Sequence, residues 1–177
     1  LQVSVLGDVT YGACCVDDLG AAALGAHLLV HFGHSCLVPM QHTVIPCLYI
    51  FTEIQMDIHH LVECLHATLE KETVTTKSKP HVYLLGTIQF RQAVVQALGM
   101  LQAKGYDVSI PQAKPLSPGE VLGCTSPSLH AHEMSGYEES DAIVCFVADG
   151  RFHLESTLIS NPHIRTFYRY DPYGKSL

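Results

Sequence analysis

Four times along this chain a short apolar run breaks off into a turn that carries glycine. Residues 3–6 lead into Gly7, 27–32 into Gly33, 81–85 into Gly86, and 142–147 into Ala148-Asp149-Gly150. The runs at 3–6 and 142–147 show no clear alternation of apolar with polar residues, as expected of parallel strands buried on both faces. Between the runs, apolar residues recur at helical spacing: Ile54, Ile58, Leu61, Val62, Leu65 and Leu69, then Val94, Ala97, Leu98 and Leu101. Short strand, glycine turn, helix, strand defines an α/β fold with mainly parallel sheets. Open sheets of this kind bind ligands beyond the carboxyl ends of their strands. The turns after the four runs are therefore where chemistry is expected.

Strands are expected over 3–6, 27–32, 44–51, 81–85, 106–111, 142–147 and 164–170, and helices over 17–26, 54–69, 90–104 and 154–160. Pro46 points to an edge strand, a bulge or a late strand start. The polar stretch 73–80 (TVTTKSKP) reads as a linker. It divides the chain into two Rossmann-like domains, 1–76 and 77–177, the first lacking its amino-terminal part.

Composition narrows the classes. A formal net charge of −7 argues against broad nucleic-acid binding, which needs a basic face. No apolar run reaches the roughly 18 residues of a membrane span. Seven cysteines without a regular framework point to reduced thiols in the cytoplasm rather than disulfides. Neither CxxC nor CxxxCxxC occurs, so no compact local zinc or iron–sulfur signature is present.

The richest turn is Gly7-Asp8-Val9-Thr10-Tyr11-Gly12-Ala13-Cys14-Cys15-Val16-Asp17-Asp18. Asp17 and Asp18 are suited to cap the following helix, and a thiolate is favoured near a helix amino terminus. The same residues also suit a tightly packed turn with no ligand. A second glycine-bounded cysteine, Cys124 in Leu122-Gly123-Cys124-Thr125, lies 124 − 14 = 110 residues further on. Cys36, Cys47, Cys64 and Cys145 sit in apolar surroundings and read as packing residues. At the strand-end turns Asp8, Tyr11, Gly12, His34, Ser35, Gln89, Asp149, Arg151 and His153 are the candidates for substrate or cofactor contacts. Arg151 and His153 suit a carboxylate or other anion. A turn with Asp149 as a helix cap explains the same residues without a ligand. His59, His60 and His66 read as a solvated helix face. His130, His132 and Glu133 form a possible zinc set in a loop.

Taken together and in order, LGDVTYGACCVDD, LVHFGHSCLVPM, TIQFRQAV, PLSPGEVLGCTSP, DGRFHLES and YRYDPYGKSL resemble the eukaryotic 2-(3-amino-3-carboxypropyl)histidine synthase family, which carries out the first step of diphthamide biosynthesis. The resemblance spans nearly the whole chain. It implies three Rossmann-like domains in the full family member, each giving one cysteine to a single [4Fe–4S] cluster, with S-adenosylmethionine on the open iron. It implies cleavage to a 3-amino-3-carboxypropyl radical that adds to a histidine of translation elongation factor 2. The implied partners are a homologous second synthase subunit, forming a heterodimer, the elongation factor itself and a small iron-binding electron donor. Residue by residue, the implied cluster ligands here are Cys14 and Cys124. The third ligand belongs to a domain outside this chain, and the resemblance therefore implies little activity for these 177 residues alone. No catalytic side chain is assigned. Two other functions fit parts of the pattern: a noncatalytic scaffold or electron-relay subunit of the same complex, and an iron-free nucleotide-binding α/β module. The latter lacks the GxGxxG fingerprint.

Overall fold

A computed structural model describes residues 2–7, 16–33, 38–76, 79–123, 125–130 and 141–177. They fall into two compact units, Leu1–Thr52 and Glu53–Leu177.

In the first unit, helix α1 (Asp18–Ala23) opens on Asp17, whose carboxylate accepts from Gly20 N at 2.9 Å. Asp18 accepts from Val44 N at 2.7 Å and so ties the helix to the lead-in of a strand. Strands β1 (Leu29–Phe32) and β2 (Cys47–Ile50) pair in parallel, Leu29 opposite Cys47 and Phe32 opposite Ile50. Pro46 marks a late strand start: it has no N–H to give to a ladder, and its carbonyl accepts from Leu29 N at 2.9 Å. Residues 3–6 are not a buried strand. Val3 is 77% and Val5 90% exposed, and neither joins a ladder. An apolar run becomes a strand only where a neighbour takes its backbone groups, and β1 pairs with β2 instead.

The second unit carries helix α2 (Ile58–Thr76), strand β3 (Val82–Gly86), helix α3 (Arg91–Ala103), strand β4 (Val108–Ser109), strand β5 (Ile143–Val147), helix α4 (Phe152–Ser160) and strand β6 (Thr166–Tyr170). The sheet has the order β4-β3-β5-β6 with every pair parallel. All five residues of β3 and of β5 are buried, which is why those runs carry no polar alternation. Their side chains divide between two cores. Val82, Leu84, Ile143, Cys145 and Val147 pack with α2 and α3, whereas Tyr83, Leu85, Val144 and Phe146 pack with Leu154 of α4 and with Leu129. At the edge, His81 binds Asp107 Oδ2 through Nδ1 and Ser109 Oγ through Nε2, both at 2.8 Å, so one imidazole clips β4 to β3.

The division between the units falls at 52/53 rather than at the expected 76/77. Leu61, Val62, Leu65 and Leu69 of α2 are wholly buried against the second sheet, so this helix belongs with the strands that follow it. The polar run 73–80 misleads because Thr73 continues the helix, its hydroxyl donating to Leu69 O at 2.7 Å.

Candidate functional site

The order β4-β3-β5-β6 reverses direction between β3 and β5. From β3 the chain crosses to one edge through α3, and from β5 to the other through α4. Crevices open at the carboxyl ends of the strands at such reversals. Here those ends are Gly86 and Val147, register partners in the ladder.

Gly86 is held on both sides. A Cβ there would lie 2.7 Å from Val147 O. On the other side Gly86 N donates to Gly119 O at 2.8 Å, and Val121 N donates to Gly86 O at 3.1 Å. The segment 119–121 thus extends the sheet past β3, and Glu120 is buried there, accepting from Ser117 N at 3.0 Å. Leu122 and Thr125 close a tight turn with reciprocal bonds, Leu122 N to Thr125 O at 3.0 Å and Thr125 N to Leu122 O at 3.2 Å. Gly123, inside that turn, lies against the ring of Phe152, the first residue of α4. Thr87, just past β3, is buried, and its hydroxyl has no hydrogen-bond partner among the described residues.

Of the candidate residues, Gln89, Asp149, Arg151 and His153 are described. Gln89 follows β3 in a single 3-10 turn, and its carbonyl accepts from Ile54 N at 2.9 Å. Asp149 and Arg151 are exposed at the end of β5, and His153 is half-buried in the first turn of α4. The fold therefore brings Gln89, Asp149, Arg151 and His153 to the carboxyl edge of one sheet. Asp149 is not the helix cap; the residue ahead of α4 is Arg151, without a side-chain capping bond. Asp8, Tyr11, Gly12, Cys14, His34, Ser35 and Cys124 lie outside the described residues, as do His132 and Glu133. Among the described residues no group of three potential ligands could hold a metal ion, and no helix is long and apolar enough to cross a membrane.

The described cysteines are packed. Cys145 is wholly buried in β5, and burial pushes its thiol up to about 12. Cys47 is buried in β2. Cys64 is half-buried on α2, 3.5 Å from His60 Nδ1.

The fold also joins groups that sequence spacing did not bring together. His60 Nδ1 meets the Tyr170 hydroxyl at 2.9 Å, and His66 Nδ1 meets that of Tyr106 at 2.6 Å. These two histidines are thus engaged rather than simply solvated. Burial, then the charges of Cys64 and Asp57, push Tyr170 up to about 12. Asp171 folds the YDPYGKS segment into a turn, accepting from Tyr173 N and Gly174 N at 3.0 and 3.1 Å. Lys175 reaches back to Asp57 at 2.9 Å. No local signal could have paired His60 with Tyr170 or Asp57 with Lys175, each more than a hundred positions apart.

A parallel α/β sheet in the order β4-β3-β5-β6, with helices α3 and α4 crossing to its two edges, is a Rossmann-like architecture. A family model described as a diphthamide synthesis protein matches residues 1–177, and the chain belongs to that family. It is 49% identical over 178 residues to 2-(3-amino-3-carboxypropyl)histidine synthase subunit 1 of Homo sapiens, covering 99% of this chain and 37% of that protein. The protein of the same name from Neurospora crassa is 48% identical over 177 residues (100% and 37%), and that from Dictyostelium discoideum 46% over 175 (99% and 35%). The chain thus spans about a third of the length of these relatives. The fold matches the crystal structure of Dph2 from Pyrococcus horikoshii with a TM-score of 0.71 at 24% identity, over 99% of this chain and 47% of that one. A second structure of that archaeal protein, with a 4Fe-4S cluster, matches equally, over 99% and 48%.

Proposed function

We propose that the protein carrying this chain performs the first step of diphthamide biosynthesis. It would transfer a 3-amino-3-carboxypropyl group from S-adenosylmethionine to a histidine of translation elongation factor 2, as an iron–sulfur-dependent transferase. The observation that supports this most is identity of 45–49% to relatives named as that synthase's subunit 1, sustained along the whole chain.

The residues fit a [4Fe–4S] cluster by the chemistry of their donors. Thiolates are its usual ligands, and Cys47, Cys64 and Cys145 are engaged in packing or with His60. Cys14 and Cys124 are assigned as two ligands, with a third from outside this chain. A bound cluster supplies the single electron that breaks a carbon–sulfur bond of the sulfonium. Arg151 would offer a cation for the amino-acid carboxylate of the substrate. Asp149 offers a charge for its ammonium group, and Gln89 and His153 offer polar contacts at the same edge. Asp8, Tyr11, Gly12, His34 and Ser35 are proposed as further residues that contact substrate or cofactor.

The name "subunit 1" of the relatives supports a homologous second subunit as partner. Elongation factor 2 and a small iron-binding electron donor complete the set, in the cytoplasm.

The test uses the full-length protein with its partner subunit, purified anaerobically. Iron per chain and label transferred from carboxypropyl-labelled S-adenosylmethionine to elongation factor 2 are measured for Cys14→Ala, Cys124→Ala and Cys145→Ala. Loss of both readouts in the first two variants, and neither in the third, is expected. Full iron loading in Cys124→Ala would overturn the assignment.

A further inference from the structure

We infer, on the reading of Cys124 as a cluster ligand, that Phe152 is a positioning residue for the turn that carries it. Three observations converge. The segment before the turn is fastened to the end of β3 by the Gly86–Gly119 and Val121–Gly86 bonds. The turn is closed by the reciprocal Leu122–Thr125 pair. The one residue between Leu122 and Cys124 is Gly123, and a Cβ built there would overlap three atoms of the Phe152 ring. The ring therefore rests on the glycine face of the turn, immediately before Cys124 in the chain.

Phe152 is a costly residue to leave where it stands. It is 65% exposed at the start of α4, while the apolar anchor of that helix is Leu154. Burial in a core does not explain an aromatic side chain at this place. Contact with Gly123 does, aided by the edge-on His153 ring at 5.4 Å. The backbone bonds hold the two ends of the turn, and the ring rests on Gly123 between them. A ligand to a metal centre must be presented in a narrow range of directions, and neighbours that hold it there contribute strongly to retention of the metal. Phe152 also joins the turn to the segment bearing Asp149 and Arg151, so the proposed ligand and the proposed carboxylate site are referred to one another through a single ring.

Because the ring is mostly exposed, little opposes its displacement by a methyl group. Gly123→Ala should push the ring off the turn rather than unfold it, and should reproduce Phe152→Ala. The double variant should be no worse than either single one, whereas two independent defects would add.

The experiment uses the full-length protein with its partner subunit, reconstituted anaerobically. Iron retained against a chelator and the electron paramagnetic resonance spectrum of the reduced cluster are recorded for the parent, Cys124→Ala, Gly123→Ala, Phe152→Ala, Phe152→Leu and the double variant. Circular dichroism of the iron-free proteins checks the fold. The expected result is retention weakened by about tenfold and an altered spectrum in Gly123→Ala and Phe152→Ala. Phe152→Leu should lie between these and the parent, and the double variant should match the singles. If Cys124→Ala loses iron while both Phe152 variants keep the parent's iron and spectrum, the bracing role is overturned and the ligand assignment stands. If Cys124→Ala keeps its iron, the ligand assignment itself fails and the bracing role falls with it. Should Gly123→Ala fail to fold, the two Phe152 variants decide alone.

Discussion

Gly86 and Val147 face each other across the two central strands so closely that a single methyl group on Gly86 would come within 2.7 Å of the Val147 carbonyl oxygen. That approach lies where the sheet order reverses, beside the segment 119–121. Gly86→Ala must push β3 and β5 apart at their carboxyl ends, because the atom it meets is backbone and cannot swing aside. A loss of about 1–3 kcal/mol is expected, in the range of overpacked cores, read as a lower urea midpoint. A midpoint unchanged from the parent's would contradict the packing described here.

Helix α2 belongs with the strands that follow it. A polypeptide of residues 53–177 should therefore unfold in one cooperative transition, and one of residues 77–177 should not. The shorter piece loses Leu61, Val62, Leu65 and Leu69, all wholly buried. At about 1.5–3 kcal/mol each, these four side chains amount to most of the stability of an ordinary domain, about 5–15 kcal/mol. Urea titration followed by circular dichroism separates the two outcomes.

Cys145 should be chemically silent. Its thiol is pushed up to about 12 by burial alone, so at pH 8 almost none is thiolate, and thiolate is the reactive form. Iodoacetamide under native conditions should modify half-buried Cys64 and leave Cys145 untouched until the protein is unfolded, as peptide mass mapping would read. Cys145→Ala should cost on the order of 1 kcal/mol. Labelling of Cys145 at the rate of Cys64 would mean that the sheet opens locally.

Asp171 links stability to acid. Backbone N–H groups of Gly174 and then Tyr173 hold its carboxyl below the ordinary 3.8. A group depressed in the folded state stabilises it above the unfolded value, and that contribution is lost as pH falls through the folded value. Asp171→Asn keeps an oxygen to accept the same bonds but removes the charge. The variant should melt below the parent at pH 7, and the gap should close as the pH is taken below 3.8. A gap that stays constant with pH would remove the carboxylate from this role.

Arg151 is exposed, so replacing it tests binding without disturbing the core. In the full-length enzyme, Arg151→Ala should raise the KM for S-adenosylmethionine about tenfold, roughly the 1.4 kcal/mol of one charged contact, and leave the melting temperature unchanged. An unaltered KM would place the carboxylate elsewhere.

Some of this molecule was legible in the residues themselves. The runs around 82–86 and 143–147 are strands because every position in them is apolar and every position is buried. The spacing of Val94, Ala97 and Leu101 makes α3, and Pro46 delays β2. These are local properties: the backbone period and the side chains that satisfy it are written side by side in the chain. The six ordered segments likewise carry the family without any coordinates. Pairing is not local. Residues 3–6 have the composition of a strand but no ladder, because a strand exists only by virtue of a partner. The polar tail of α2 looks like a linker, yet the helix runs on because its other face is buried against a sheet that begins later in the chain. His60 meets Tyr170, and Gly123 meets Phe152, across separations that no periodicity encodes. Such contacts were decided by tertiary structure alone, because the sheet order β4-β3-β5-β6 gathers strand ends at one edge whatever their distance along the sequence.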